Sequence, residues 1–411
     1  VSKLSIPRPA VPSFPRTALT LSSLRGVRAS GVRAGIKASG SPDVALLVAD
    51  EPMNVAAVFT QNRFAAAPVV LSRAHLAESG GLSRAFVVNS GNANACTGKL
   101  GEEHAAAMCD EVARLVGCAR REVLVCSTGV IGQHLPIDRV LSGIRAAHAE
   151  LSGSPDAGRA FLSAIMTTDA FPKEAEGSID VDGHRFGVAG VCKGAGMIEP
   201  DMATMLAFVG TDLPVSGDAL RRAVGRIAAR SFNAVHVDSH ASTNDSFFVF
   251  STGRGRAPVE EAAWLDPVSS VARRLAWLIA RDGEGATKVT TIEVRGAESD
   301  DVARQVAKLV ATSALVRTAL YGRDPNWGRF VSQVGNSKLV RDVSRLTCTI
   351  EGVRVFERGE PTRFDRSDVS RRMGAEDVLL ELDLAQGSGT ASVMTSDLGY
   401  RYVEVNAEYT T

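Results

Sequence analysis

Three loops carry hydroxyl side chains beside strongly apolar segments: Thr128 in "CSTGVIG", Thr167 and Thr168 in "AIMTTDAFPKE", and Thr204 in "KGAGMIEPDMATMLAFVGTD". A threonine hydroxyl is a weak nucleophile at neutral pH and acts as one only beside a base. Taken singly, each position also suits a turn or a cap. Histidine is the first base to consider, but the seven are scattered and none falls in an H-E-x-x-H spacing. His236 and His240 in "NAVHVDSHASTND" stand four apart, a metal-ligand spacing on a helix. The alternation in "AVHVD" reads instead as a strand, where such positions lie well apart, so no metal is expected. There is no G-x-S-x-G elbow, and "KGAGMIEP" has neither phosphate-loop spacing.

One base escapes a search of side chains: an α-amino group, which titrates at about 7.7. A chain makes one in its interior only by cutting itself. A threonine hydroxyl can attack the carbonyl before it, and hydrolysis of the resulting ester leaves a residue that carries nucleophile and base together. Ala203 is small, and the "GAG" upstream permits the sharp backbone path of a strained bond. This chemistry permits Thr204 as the nucleophile without selecting it.

The loops sit where strands are expected to end. "RAFVVNSGNANACTG" passes from a β-branched and aromatic run into Asn/Gly punctuation, and a helix follows over 99–117 with Met108, Val112, Leu115 and Val116 at helical spacing. "EVLVCSTGVIG" repeats the pattern, followed by a helix that puts Val140, Leu141, Ile144 and Ala147 on one face. Beyond Thr204 the patterning predicts helices over 218–230, 268–280 and 300–315, a strand at "TTIEVRGA", and terminal strands that are mostly antiparallel. The fold class is mixed α/β. No linker or repeat divides the 411 residues, so both sides of Thr204 should share one packed body.

Composition excludes several function classes. Lys plus Arg and Asp plus Glu each total 46, so no global field favours nucleic acid or a membrane surface. Six cysteines fit neither a disulfide framework nor C-x-x-C pairs and read as reduced thiols. No apolar run approaches the roughly 20 residues of a membrane span. Seven Lys or Arg residues and eight serines precede the first acidic residue, Asp43, which suits either a transit peptide or a solvated, proline-bearing tail.

The segment "KGAGMIEPDMATMLAFVGTD" resembles the self-cleavage segment of the ornithine acetyltransferase family, also called bifunctional glutamate N-acetyltransferases. The resemblance extends, in the family's order from about Arg25 to Thr411, to "GVRAGIK", "VVNSGNANACTG", "STGVIG", "IMTTD", "SFNAV", "STND", "DGEGATK", "DPNWGR" and "NAEYTT". It implies a DmpA-like layered α/β sandwich, cut between Ala203 and Thr204 into an α chain of residues 1–203 and a β chain of 204–411, two of each to an assembly. Residues 1–24 have no counterpart in the family. Thr204 is then the amino-terminal nucleophile, and Thr128 and Gly129 take the oxyanion role. Substrate contacts fall on Thr167 (rather than Thr168), Lys193, Thr204, Glu284, Asn406 and Thr411.

The implied reaction is ping-pong transfer of acetyl from N2-acetylornithine to glutamate, in the cyclic route of arginine biosynthesis. No resident cofactor is implied, and acetyl-CoA is left open as a second donor. The expected compartment is the cytoplasm, or a mitochondrion or plastid if the basic tail is a transit peptide. The chain departs from the family at His240 and Ala241, positions more often acidic and hydroxyl-bearing. Two other readings stay open: an amidase or aminopeptidase that gives the acyl group to water, and an uncleaved binding protein. Asn89, Asn92 and Asn94 suit an Asx-rich turn as well as a ligand contact, Trp327 suits a core, and Arg329 suits a loop tie.

Overall fold

β-Branched and aromatic runs become the strands of two sheets in the computed structural model, which describes residues 14–199, 205–253 and 259–408. In chain order these are β1 (Val27–Val32), β2 (Val44–Phe59), β3 (Leu82–Asn92), β4 (Val123–Val130), β5 (Lys173–Val181), β6 (His184–Lys193), β7 (Leu206–Thr211) and β8 (Val235–His236). There follow β9 (Ser246–Ser251), β10 (Val289–Ala297), β11 (Thr347–Ile350), β12 (Val353–Glu357), β13 (Glu360–Pro361), β14 (Asp377–Asp383) and β15 (Gly389–Ser396). The first sheet runs β4-β3-β2-β9-β7-β6-β5, with β1 also paired to β2, and the second runs β13-β12-β11-β14-β10-β15-β8.

Helices α1 (Ala67–Glu78), α2 (Gly98–Val116), α3 (Ile137–Ala149) and α4 (Pro155–Ile165) precede the Thr204 segment. After it come α5 (Gly217–Ala229), α6 (Glu261–Arg281), α7 (Asp300–Thr312), α8 (Ala314–Tyr321), α9 (Trp327–Asn336), α10 (Arg366–Arg372) and α11 (Tyr400–Glu408). Among the described residues no helix is long and apolar enough to cross a membrane.

The first sheet is buried on both faces, which is why its strands read as continuous apolar runs rather than alternations. Ala45 and Leu47 of β2 share a core with Phe161 and Leu162 of α4. Their neighbours Val44, Leu46 and Val48 point the other way, into a core with Met108 and Val112 of α2 and Ile144 of α3. Every residue of β7 is buried, so a central strand accounts for the apolar run that follows Thr204. Helix α6 packs on β5 and β6 and also touches β8, β10 and β15, joining the two sheets.

Both sides of Thr204 build the first sheet, as the absence of a linker predicted. β6 pairs antiparallel with β7, placing Lys193 opposite Leu206, and β7 pairs in parallel with β9, placing Leu206 opposite Ser246. The sheet also curls. Phe86 of β3 lies 5.3 Å from Phe208 of β7 between ring centroids, although two strands separate them in the ladder. Phe161, Phe248 and Phe250 complete this aromatic cluster.

Several expectations need correction. The helix expected over 300–315 stops at Thr312, because Ser313 ends α7 and caps α8 by accepting from the Val316 N–H; a hydroxyl cap overrides the apolar periodicity. The helix expected from Val268 begins at Glu261, with Pro267 inside it and the fully buried Trp264 holding the turn before. The terminal strands are mostly antiparallel, as expected, with β10 pairing in parallel with β14 and β15 with β8. Part of the segment read as a solvated tail is packed: the Phe14 ring lies tilted 5.0 Å from that of Phe171, and Leu21 and Leu24 are buried. Residues 1–13 lie outside the described residues.

Because Phe208 touches rings from both sides of Thr204, Phe208→Ala should cost about 3–5 kcal/mol. The measurement is the shift in a urea unfolding midpoint. A variant as stable as the parent would show that this cluster does not hold the two halves together.

Candidate active site

The chain leaves β6 at Lys193 and re-enters the first sheet at Leu206, and beside this excursion lies a cavity of about 810 Å3. Thr128, Gly129, Thr167, Lys193, Glu284 and Asn406, six residues singled out from sequence, all line it. Ala203, Thr204 and Thr411 lie outside the described residues.

Thr128 and Gly129 close β4. Gly129 has φ 135°, and a Cβ there would stand 2.3 Å from the Gly91 carbonyl carbon, so no other residue fits without moving β3. The Thr128 Oγ1 accepts a hydrogen bond from the Lys193 Nζ at 3.2 Å. With an ammonium engaging its oxygen, the hydroxyl keeps its hydrogen for another partner. Lys193 is fully buried, and burial lowers its affinity for a proton while Asp169, Asp245 and Glu284 oppose that effect.

Asp169 organises the near wall. Its Oδ1 accepts from the Gly194 N–H at 2.7 Å and from the Lys173 Nζ at 2.6 Å, and its Oδ2 accepts from the Thr167 N–H at 2.8 Å. Burial alone would raise this carboxyl, but Lys173 and Lys193 hold it well below the usual carboxylate range. Lys173 also reaches the Asp282 Oδ2 at 2.5 Å, and Asp282 accepts from the Ala170 N–H. One ion cluster thus ties the "MTTD" loop, the start of the excursion and the "DGEG" loop together.

The excursion itself is built for close approach. A Cβ on Gly196 would lie 2.5 Å from the Glu284 carboxyl carbon, so glycine there lets that carboxylate reach the cavity. Met197 takes φ 60°, and its N–H and that of Ile198 both donate to the Asp238 carboxylate, at 2.6 and 2.7 Å. Glu284 is held from both sides: its N–H donates to the Ala195 carbonyl, and its Oε2 accepts from the Asn406 Nδ2 at 2.9 Å. A carboxylate and an ammonium therefore face one cavity whose size suits an acylated amino acid.

Other sequence candidates have structural duties. The His236 Nδ1–H donates to the Glu199 Oε2 at 3.1 Å, and among the described residues no group of three His, Cys, Asp or Glu could hold a metal. Asn89, Asn92 and Asn94 build the turn after β3, the Asn94 N–H donating to the Asn92 Oδ1, while Gly91 and Ala93 line the cavity. Arg329 ties α9 to the Leu315 carbonyl, and Trp327 stacks on Phe356 at 4.9 Å.

His240, where the chain departs from the family pattern, lines the cavity with Ser242, Thr243 and Asn244. Reasoning from sequence missed Lys37, Tyr402 and Asp238, which also line it, and Asp245 behind it. Lys37 stands in the quoted "GVRAGIK", and Asp238 and Asp245 both stand in the quoted "NAVHVDSHASTND", but no spacing gave them a role.

Lys173→Met would leave Asp169 and Asp282 as adjacent buried carboxylates without their shared cation. The expected loss is about 3–5 kcal/mol, read by chemical denaturation, with looser placement of Thr167 and Gly194. An unchanged midpoint would deny the cluster its organising role.

Residues 28–411 match the model of the ArgJ family. An arginine biosynthesis bifunctional protein ArgJ from Rhodopirellula baltica is 45% identical over 398 residues, covering 94% of this chain and 96% of that one. The protein of the same name from Thermus thermophilus is 45% identical over 388 residues, covering 94% and 98%. The crystal structure of Mycobacterium tuberculosis ornithine acetyltransferase complexed with ornithine is similar at 36% identity, over 46% of this chain and 96% of that chain, with a TM-score of 0.40. A family match that runs from β1 to the last residue, with relatives covered almost end to end, bears out the resemblance carried by the nine motifs: the chain belongs to the ArgJ family.

Proposed function

We propose that the chain is a self-cleaving acetyltransferase of arginine biosynthesis, moving acetyl from N2-acetylornithine to glutamate through an ester on Thr204. The observation that supports this most is the convergence of Thr128, Gly129, Thr167, Lys193, Glu284 and Asn406 on one cavity beside the excursion that carries residue 204.

Cleavage comes first. The Thr204 hydroxyl oxygen attacks the Ala203 carbonyl carbon; a C–O bond forms, the C–N bond breaks, and the hydroxyl proton ends on the leaving nitrogen. Water then hydrolyses the ester, giving an Ala203 carboxylate and a free Thr204 with amine and hydroxyl. The pieces 1–203 and 204–411 stay joined because both supply strands to the first sheet. The assembly is two of each.

In transfer, the Thr204 amine takes the hydroxyl proton as the oxygen attacks the acetyl carbonyl of acetylornithine. The Thr128 hydroxyl and the Gly129 N–H stabilise the oxyanion, with Lys193 lending positive charge through Thr128. The ornithine amine leaves with that proton, and glutamate's amine repeats the steps in reverse. Glu284, steadied by Asn406, receives substrate ammonium, and Thr167 and the chain end at Thr411 help enclose the amino acid. Exchanging one amide for another is near energetic balance, so exclusion of water decides the outcome. The enzyme needs no resident cofactor and works in the cytoplasm, where its six free thiols stay reduced.

A denaturing gel of the purified protein should show two bands of similar mass, one beginning "TMLAF" by Edman degradation. Thr204→Ala should give one full-length chain without acetyl transfer. Two bands from that variant would remove the mechanism. Acetate release from acetylornithine that ignores added glutamate would make the enzyme a hydrolase instead, and a parallel assay with acetyl-CoA tests it as a second donor.

A further inference from the structure

Asp245 precedes β9 and is fully buried. Its Oδ1 accepts from the Met205 N–H at 2.8 Å, while its Oδ2 is buried with no hydrogen-bond partner among the described residues. A buried carboxyl oxygen without a partner is unfavourable and calls for an explanation. The neighbouring side chains have partners of their own. Asn244 donates to the Ala93 and Ser127 carbonyls and accepts from Thr243, and the Lys193 Nζ donates to Thr128. The Asp245 backbone is itself fixed, its carbonyl accepting from the Thr60 N–H, so the carboxyl cannot swing away to water.

Met205 directly follows the proposed nucleophile. Covalent geometry keeps the nitrogen of residue 204 within about 3.6 Å of the Met205 nitrogen, which is the atom Asp245 already holds. We infer that Asp245 is the seat of the freed Thr204 amine: Oδ1 keeps the Met205 N–H and Oδ2 accepts from the new amino group, orienting it toward its own hydroxyl. The inference rests on the self-cleavage reading above. Asp245 acts through the amine and is a positioning residue.

The electrostatics agree. In the uncut chain, burial pushes the Asp245 carboxyl well above the usual carboxylate range, against the Met205 N–H, Lys193 and the Ser242 N–H. Cutting creates a basic nitrogen beside this neutral acid; the carboxyl proton passes to the amine, and a carboxylate–ammonium pair results. In the mature enzyme that pair raises the proton affinity of the amine, while the ammonium of Lys193 opposes it, itself countered by Asp169 and Glu284. The amine is a base only when neutral, so the acid limb of the kcat/KM profile follows its titration.

The test is Asp245→Asn, which keeps size and the acceptor for Met205, with Asp245→Glu as the charge-retaining control. Cleavage is followed on a denaturing gel, folding by cooperative thermal unfolding, and kinetics per acetylatable Thr204. In cut D245N, kcat should fall at least tenfold with KM for acetylornithine within about twofold, and the acid limb should move about one unit to lower pH. If D245N folds but stays uncut, D245E should restore cutting. Cut D245N with parental kcat and an unmoved limb overturns the inference, as does folded protein uncut in both variants. A parental protein that runs as one band instead overturns the cleavage reading itself.

Discussion

The site depends on one buried carboxylate. Asp169 accepts from Gly194, Thr167 and Lys173, and Lys173 in turn reaches Asp282, so three loops from distant parts of the chain share a single ion cluster. A buried ammonium without its carboxylates would be too unfavourable to keep, and so would the carboxylates without it. Their mutual need fixes the distance between β6, the "MTTD" loop and the end of α6. Lys193, one residue before Gly194, is thereby placed on Thr128, and Glu284, two residues after Asp282, is placed against Gly196.

Burial of the first sheet on both faces supplies the rigid frame for that cluster. Strands β6, β7 and β9 are ladder neighbours in its middle, and the chain departs from and returns to adjacent strands with Lys193 and Leu206 as partners. A chain break within that excursion would leave β6 and β7 joined by their main-chain hydrogen bonds, with Phe208 still in its aromatic cluster. The same frame brings Asp245 to Met205, since Leu206 is paired with Ser246. The register of β4, β6, β7 and β9 thus sets where Thr128, Lys193 and Asp245 stand.

Much of this was legible in the sequence. Helices α2, α3 and α5 follow the apolar spacing expected for them, and β3 and β4 form on the β-branched runs expected of them, although both strands continue through the Asn/Gly and Ser/Thr punctuation, to Asn92 and Val130. Six candidate site residues within the motifs that carry the family resemblance are gathered by the fold around one cavity. Where the reading failed, a stronger local or tertiary term prevailed: the Ser313 cap against periodicity through Leu315, the burial of Trp264 against a start after Pro267, and the packing of Phe14 against a solvated tail. Asp169 sat inside a quoted motif, "IMTTD", yet nothing in that motif showed that its carboxylate would be shared by three loops.

Sequence alone determined the mixed α/β class, the alternation of strand, polar loop and helix, the family, and the hydroxyls available for covalent chemistry. These are local properties, carried by residue type and by spacing within a dozen positions. Tertiary structure decided which loops meet. Lys173 and Asp282 are 109 residues apart in the chain, and Met205 and Asp245 are 40 apart. The pairing of buried charges and of a buried carboxyl with a strand end depends on the dielectric and geometry of the finished core, and no local pattern encodes either.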